Sequence, residues 1–164
     1  MALGVRSWLF LPLLVISSTS GAAETNWSVN SATDVMTDVK NGSAALSDQF
    51  GNRLIFSCNG LTEPTLAVQF LPKKYLGSSG KVVTVRFEPD RPPPSILWEY
   101  VSKGAYTVDD KFIDWFSAQV GDGQRLIRVR ALNYEDQPVD AQFLSMNGRT
   151  AINQVRAICG KEGV

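Results

Sequence analysis

Apolar and polar residues alternate along much of the chain, which is the pattern expected of β-strands with one buried face. In one such segment, Leu66, Val68 and Phe70 fall on one side of the strand and their neighbours on the other. Strand candidates of this kind occur at residues 27–29, 53–58, 65–71, 82–88, 96–106, 125–132 and 139–144. Because residues 96–106 can form one bent strand or two, the pattern predicts seven or eight strands.

Two segments late in the chain follow the helical period instead. In residues 107–121, apolar side chains recur three and four positions apart, Thr107 is a candidate N-cap and Gly121 ends the segment. A second helix begins near Asn147 and ends at Gly160. Strands outnumber helices, and no regular alternation of the two calls for a parallel sheet. The pattern therefore predicts an α+β fold, mainly an antiparallel sheet or sandwich, with both late helices covering apolar faces.

The segments between these elements carry turn signals. Residues 30–43 are polar and contain Asn41-Gly42, a dipeptide typical of a tight turn, so we expect a connection there. Residues 133–138 are expected to join two strands as a hairpin loop. The proline-rich segment 88–94 is expected to form an extended loop, since proline cannot donate a ladder hydrogen bond.

The N-terminal segment has the features of an export signal. Arg6 precedes an apolar run of about ten residues, and the small residues Gly21 and Ala23 stand before a cleavage point. The pattern predicts a signal peptide at 1–23 and a single α+β domain at 24–164. The alternative is a membrane anchor, but the run is shorter than the about 20 residues that span a bilayer. No later stretch is long enough, so we expect a periplasmic or secreted protein without a membrane span after cleavage.

The only cysteines are Cys58 and Cys159. In an oxidising compartment an even number of cysteines favours a disulfide, and we predict one bond between these two. Two buried free thiols are the alternative.

Composition restricts the chemistry that the chain can perform. The 164 residues include 16 Lys plus Arg, 16 Asp plus Glu and no His. A serine or cysteine nucleophile would lack a histidine base, and a catalytic zinc site would lack its usual ligand. The formal charge of zero argues against nucleic acid as a partner. We therefore predict no catalytic residues, no metal and no cofactor.

Carboxylates alone remain as possible catalytic groups. Asp109, Asp110 and Asp114 form the densest group, and a pair of them could serve a hydrolase. All three fall in the first turns of a predicted helix, where carboxylates are favoured by the helix dipole without any catalytic role. The structural interpretation is therefore the stronger one.

Arginines give the best candidate for a binding surface. Arg128 and Arg130 alternate with apolar residues, so both must leave the same face of one strand. If Arg86 lies on a neighbouring strand, the three form a compact basic patch, with Tyr134 at its edge. Arginine suits contact with carboxylates, so the patch predicts an acidic protein partner. The competing interpretation is a solvated face that Glu88 or Asp140 neutralises locally.

A series of short features follows the same order as in a known family. They lie at residues 27–29, 53–58, 83–87, Trp98, 105–106, 125–131, 141–144 and 148–159. In this order the mature chain resembles the VasI-like proteins, a family of bacterial exported proteins associated with type VI secretion, although the segment 88–95 departs from the family pattern. The resemblance implies a small periplasmic protein with one disulfide and an accessory role, and it supplies no established catalytic residues to carry over.

Together these features predict a small exported, non-enzymatic accessory or binding protein with a protein partner, associated with a secretion system if the resemblance holds. Two alternatives stay open. One is an inhibitor or immunity-type protein that blocks an enzyme through an exposed loop, and the other is a carboxylate-based hydrolase. The sequence leaves the oligomeric state undetermined.

Overall fold

The computed structural model describes residues 27–60, 63–77, 81–88, 93–94, 96–101 and 103–161. The predicted signal peptide and residues 89–92 of the proline-rich loop lie outside this part of the chain. The elements run in the order β1 (Ser28–Thr33), β2 (Lys40–Ser47), β3 (Arg53–Asn59), β4 (Thr65–Leu71), β5 (Thr84–Glu88), β6 (Glu99–Val101), β7 (Gly104–Thr107), α1 (Asp110–Val120), β8 (Arg125–Leu132), β9 (Pro138–Ser145) and α2 (Gly148–Ile158).

The strands form two antiparallel sheets. The larger has the order β1-β2-β3-β4-β7-β6, and the smaller has the order β5-β8-β9. Residues 96–106 resolve into two short strands, β6 and β7, which pair with each other around Lys103. The predicted α+β class, with antiparallel strands and two late helices, is confirmed.

The prediction of a connection across residues 30–43 is wrong at its C-terminal end, because β2 already begins at Lys40. Asn41 and Gly42 lie within β2, and Gly42 pairs with Cys58 of β3. A side chain at Gly42 would meet the Cδ1 atom of Ile158 at 3.2 Å, so α2 packs closely over the strand at this point. The turn lies earlier, where the Asp34 carboxylate accepts hydrogen bonds from the backbone of Met36 and Thr37.

The core lies between the inner faces of the sheets and the two helices. Aromatic rings fill its centre: Phe116 of α1 stacks on Phe56 of β3 and meets Phe87 of β5 edge to face, with ring centroids 6.5 and 5.5 Å apart. The predicted disulfide is confirmed and joins Cys58 to Cys159, at the end of α2, with a Cα–Cα distance of 6.4 Å. The free-thiol alternative is therefore wrong.

The N-cap of α1 is Asp109, not Thr107 as the sequence pattern suggested. The Asp109 carboxylate accepts the backbone N–H of Phe112 at 2.9 Å. Thr107 is the last residue of β7, and its hydroxyl accepts the N–H of Asp109 instead. The strand extends further than the pattern predicted, which moves the cap by two residues.

Long-range contacts fix the start of α2. Gly148, its first residue, packs against Val120 so tightly that an added Cβ would lie 1.8 Å from a methyl group. Immediately before it, the buried Ser145 hydroxyl accepts a hydrogen bond of 2.7 Å from the Trp27 indole. The last strand and the last helix are thus tied to the first described residue of the chain.

Candidate binding site on the small sheet

The outer surface of the small sheet carries the arginines singled out from the sequence. Along β8, Ile127 and Val129 are buried while Arg128 and Arg130 are exposed, as their alternation predicted. We call this surface the arginine face, and it comprises Thr84, Arg86, Glu88, Arg128, Arg130, Asp140 and Gln142.

Strand pairing brings the three arginines together. Arg86 of β5 lies directly across from Arg128 of β8, and Arg130 lies across from Thr84. The condition for a compact patch, that Arg86 lie on a neighbouring strand, is therefore met. Like charges placed opposite each other repel, so such a cluster needs nearby carboxylates or an anionic partner.

Two carboxylates from the flanking strands pair with Arg128 and Arg130. Glu88 of β5 pairs with Arg128 at 2.9 Å, and Asp140 of β9 accepts two hydrogen bonds from Arg130, at 2.6 and 2.7 Å. Arg130 lowers the pKa of the Asp140 carboxyl through these bonds, and Asp140 raises the pKa of Arg130. Both pairs are about half exposed, and ion pairs in this setting contribute little to stability.

The arginines and their neighbours line a shallow depression of about 420 Å³. Thr84 and Gln142 also line it, although neither was predicted as a site residue. Alternation puts Thr84 on the same side of its strand as Arg86, but only the strand pairing sets Thr84 across from Arg130 and Gln142 across from Arg128. The depression combines guanidinium, carboxylate, amide and hydroxyl groups, so it offers donors and acceptors to a polar partner.

Tyr134 lies outside this depression. It belongs to the predicted hairpin loop between β8 and β9, where the Asn133 side chain accepts backbone N–H groups from Glu135 and Gln137. Its ring is 60% exposed and packs on Tyr75, with centroids 6.0 Å apart. A hydrogen bond to Glu135 raises the pKa of the Tyr134 hydroxyl. The structure thus places Tyr134 with a second exposed tyrosine beyond the end of β8.

Two of the carboxylates considered for hydrolysis, Asp109 and Asp114, make contacts that stabilise the fold. Asp109 caps α1, and Asp114, one turn into the helix, lies 3.5 Å from the buried Arg156 of α2. That arginine also donates to the buried hydroxyl of Ser117, at 3.2 Å. Among the residues that the structure describes, no three Cys, Asp or Glu side chains are grouped as they would be around a metal ion.

Comparisons with protein-family models, with curated proteins and with solved structures find no match to this chain. Within the described ranges, neither helix has the length and apolar character needed to cross a membrane.

Proposed function

We propose that this chain is an exported, non-enzymatic binding protein that holds an acidic protein partner on the arginine face. The observation that supports the proposal is the alignment of Arg86, Arg128 and Arg130 on one solvent-facing sheet surface. The buried side of the same strands packs into the core, so these positions are held by regular backbone pairing rather than by a loop.

The ion pairs within the arginine face can be exchanged for contacts with a partner. The side chains of Arg128 and Glu88 are 51% and 46% exposed, so water screens their attraction and separating them costs little. Arg130 directs two of its N–H groups to Asp140, and a guanidinium has five in all. A carboxylate of a partner can therefore add to the arginines or replace their present acidic neighbours. Charge attraction of this kind raises the association rate and weakens with salt.

The sequence supports an exported location for this binding activity. Residues 1–23 predict export, and the disulfide suits an oxidising compartment. We therefore propose that the partner is itself an exported protein. An accessory role beside a type VI secretion apparatus follows only from the family resemblance.

Binding of a defined acidic polypeptide tests the proposal. The mature protein and its Arg128→Gln/Arg130→Gln variant would be titrated with poly-L-glutamate and with acidic proteins purified from the cell envelope of the producing organism. We expect the double variant to lose affinity by roughly tenfold or more and to show a weaker salt dependence.

The single variant Arg130→Gln is also compared with a matched control that removes one arginine charge elsewhere. Arg149 is exposed and pairs with Asp122 at 3.6 Å, so Arg149→Gln disturbs a similar ion pair away from the arginine face. This control should keep its affinity. Equal losses in both variants, with melting temperatures unchanged, would show that only net charge matters and would contradict the proposal.

An inhibitor that acts through a loop is the second candidate. The observation that favours it is the exposed pair of Tyr75 and Tyr134, because exposed tyrosines are common binding anchors. Under this alternative, Tyr134→Ala abolishes partner binding while the arginine double variant keeps it. The two candidates therefore predict opposite results from the same set of variants.

A further inference from the structure

The outer face of the large sheet differs in chemistry from the arginine face. Strand pairing sets Asn30, Ser43, Ser57 and Ala67 side by side in one row across β1, β2, β3 and β4. The inner face of the same strands supplies residues of the core, from the small Ala44 to the large Phe56. The row itself carries four small side chains, three of them polar, on the face that is turned away from the core.

A depression of about 650 Å³ lies over this row and its neighbours. Fourteen described residues line it, and none of them is Asp, Glu, Lys or Arg, although charged residues make up 20% of the chain. Nine of the fourteen carry a hydroxyl or a side-chain amide. We call this surface the neutral face. Its volume falls within the range of about 300–1,000 Å³ that is usual for ligand sites.

Hydrogen bonds order one end of the neutral face. The Gln69 amide donates to the hydroxyl of Ser57 at 3.0 Å. Tyr106 lies directly across from Gln69 on β7, and its hydroxyl bonds to the Glu99 carboxylate. The tyrosine ring is thereby held beside the amide groups, half-buried, at the border of the depression.

We propose that the neutral face binds an uncharged oligosaccharide. An anionic ligand would lose hydration here without gaining a counter-charge, which is costly. Amides and hydroxyls both donate and accept hydrogen bonds, as sugar hydroxyls do, and a tyrosine ring offers an apolar surface to the C–H groups of a sugar. An apolar peptide would leave these polar groups unpaired. The neutral face shares no residue with the arginine face, so the two proposals stand or fall separately.

Titration of the ¹⁵N-labelled protein with three probes tests the site. Tetra-N-acetylchitotetraose and maltotetraose are uncharged, and tetragalacturonate is an anionic oligosaccharide of the same length. We expect at least one neutral sugar to shift the side-chain amide signals of Asn41, Asn59 and Gln69, while the anionic one shifts these signals less at the same concentration. Tyr106→Ala should weaken binding roughly tenfold, the value of one aromatic contact.

Two further variants distinguish loss of the sugar contact from a general effect on folding. Tyr106→Phe keeps the ring and should retain most of the affinity, whereas Tyr134→Ala removes an exposed tyrosine elsewhere and should bind sugar normally. The proposal is overturned if neither neutral sugar shifts those amides at millimolar concentration, or if the shifts fall on another surface. Equal or larger shifts of these same amides with tetragalacturonate also overturn it, whereas shifts confined to the arginine face report binding at that other surface. Shifts of the same amides with protein concentration alone, before sugar is added, would assign the face to a second copy of the chain.

Discussion

Asp140 lies directly across from Arg130 in the pairing of β8 with β9, and its two oxygens accept separate N–H groups of the guanidinium at 2.6 and 2.7 Å. The pair joins two neighbouring strands on a surface open to water. It reduces the positive charge of the arginine face, and it is the contact that an acidic partner would have to exchange or extend.

The Asp140 carboxyl should titrate below the ordinary aspartate value of about 3.9. Its pKa is lowered in the folded state by hydrogen bonds from Arg130, so the ion pair stabilises the fold above the unfolded pKa and is lost as pH falls through the lower folded value. NMR titration of the carboxyl carbon measures this directly. In Arg130→Gln the midpoint should rise towards the ordinary value, and an unchanged midpoint would show that the pair does not form in solution.

The disulfide should be a major source of stability. Cys58 and Cys159 are 101 positions apart, and the chain-entropy model assigns about 4.7 kcal/mol to closing a loop of about 100 residues. Urea unfolding of the oxidised protein and of Cys58→Ala/Cys159→Ala would measure the difference. The native protein should also resist alkylation until a reductant is added. Alkylation of two thiols in the denatured, unreduced chain would contradict the bond.

Asp109 should contribute to stability as the cap of α1. Asp109→Ala removes the acceptor of the Phe112 N–H and should lower the free energy of unfolding by about 0.5–2 kcal/mol. Asp110→Ala is the matched control, since Asp110 is exposed in the first helical turn and is not the cap. Similar losses in the two variants, measured by chemical denaturation, would attribute the effect to the helix dipole instead.

Gly148 should not tolerate a side chain. An added Cβ would lie 1.8 Å from Val120 and 3.0 Å from the Trp27 indole nitrogen, so either α2 or its neighbours must shift. We expect Gly148→Ala to destabilise the protein by about 1–3 kcal/mol. Gly123→Ala is the control, because no atom beyond its chain neighbours lies within 4 Å of a Cβ there. A thermal melt in which both variants behave alike would mean that the contact between the helices is looser than described.

The sequence predicted the small sheet well because each of its strands has one mainly apolar side. Val85, Val129 and Ala141 are all buried, as alternation required, and two strands of this sheet follow each other through a short hairpin. Strand β2 was missed because its inner positions include Gly42 and Ala44, which carry little hydrophobic signal. These residues are buried because α2 packs on them. A contact between segments so far apart leaves no signal in the local sequence pattern.

The sequence predicted the acidic neighbours of the arginine face but not the neutral face. Glu88 and Asp140 were the residues expected to neutralise the patch, and both pair with its arginines from the strands on either side. The neutral face was not predicted at all, because its residues are scattered over five strands and share no motif. Only the register between strands brings them together.

The most direct test of the arginine face is a substitution that should strengthen binding. Asp140→Asn keeps the shape of the side chain but removes the carboxylate that pairs with Arg130. Asp122→Asn makes the same change in net charge beside Arg149, away from the arginine face. Calorimetric titration with poly-L-glutamate should show a several-fold gain in affinity for Asp140→Asn and little change for Asp122→Asn. Equal gains in the two variants, or none in Asp140→Asn, would contradict binding through this face.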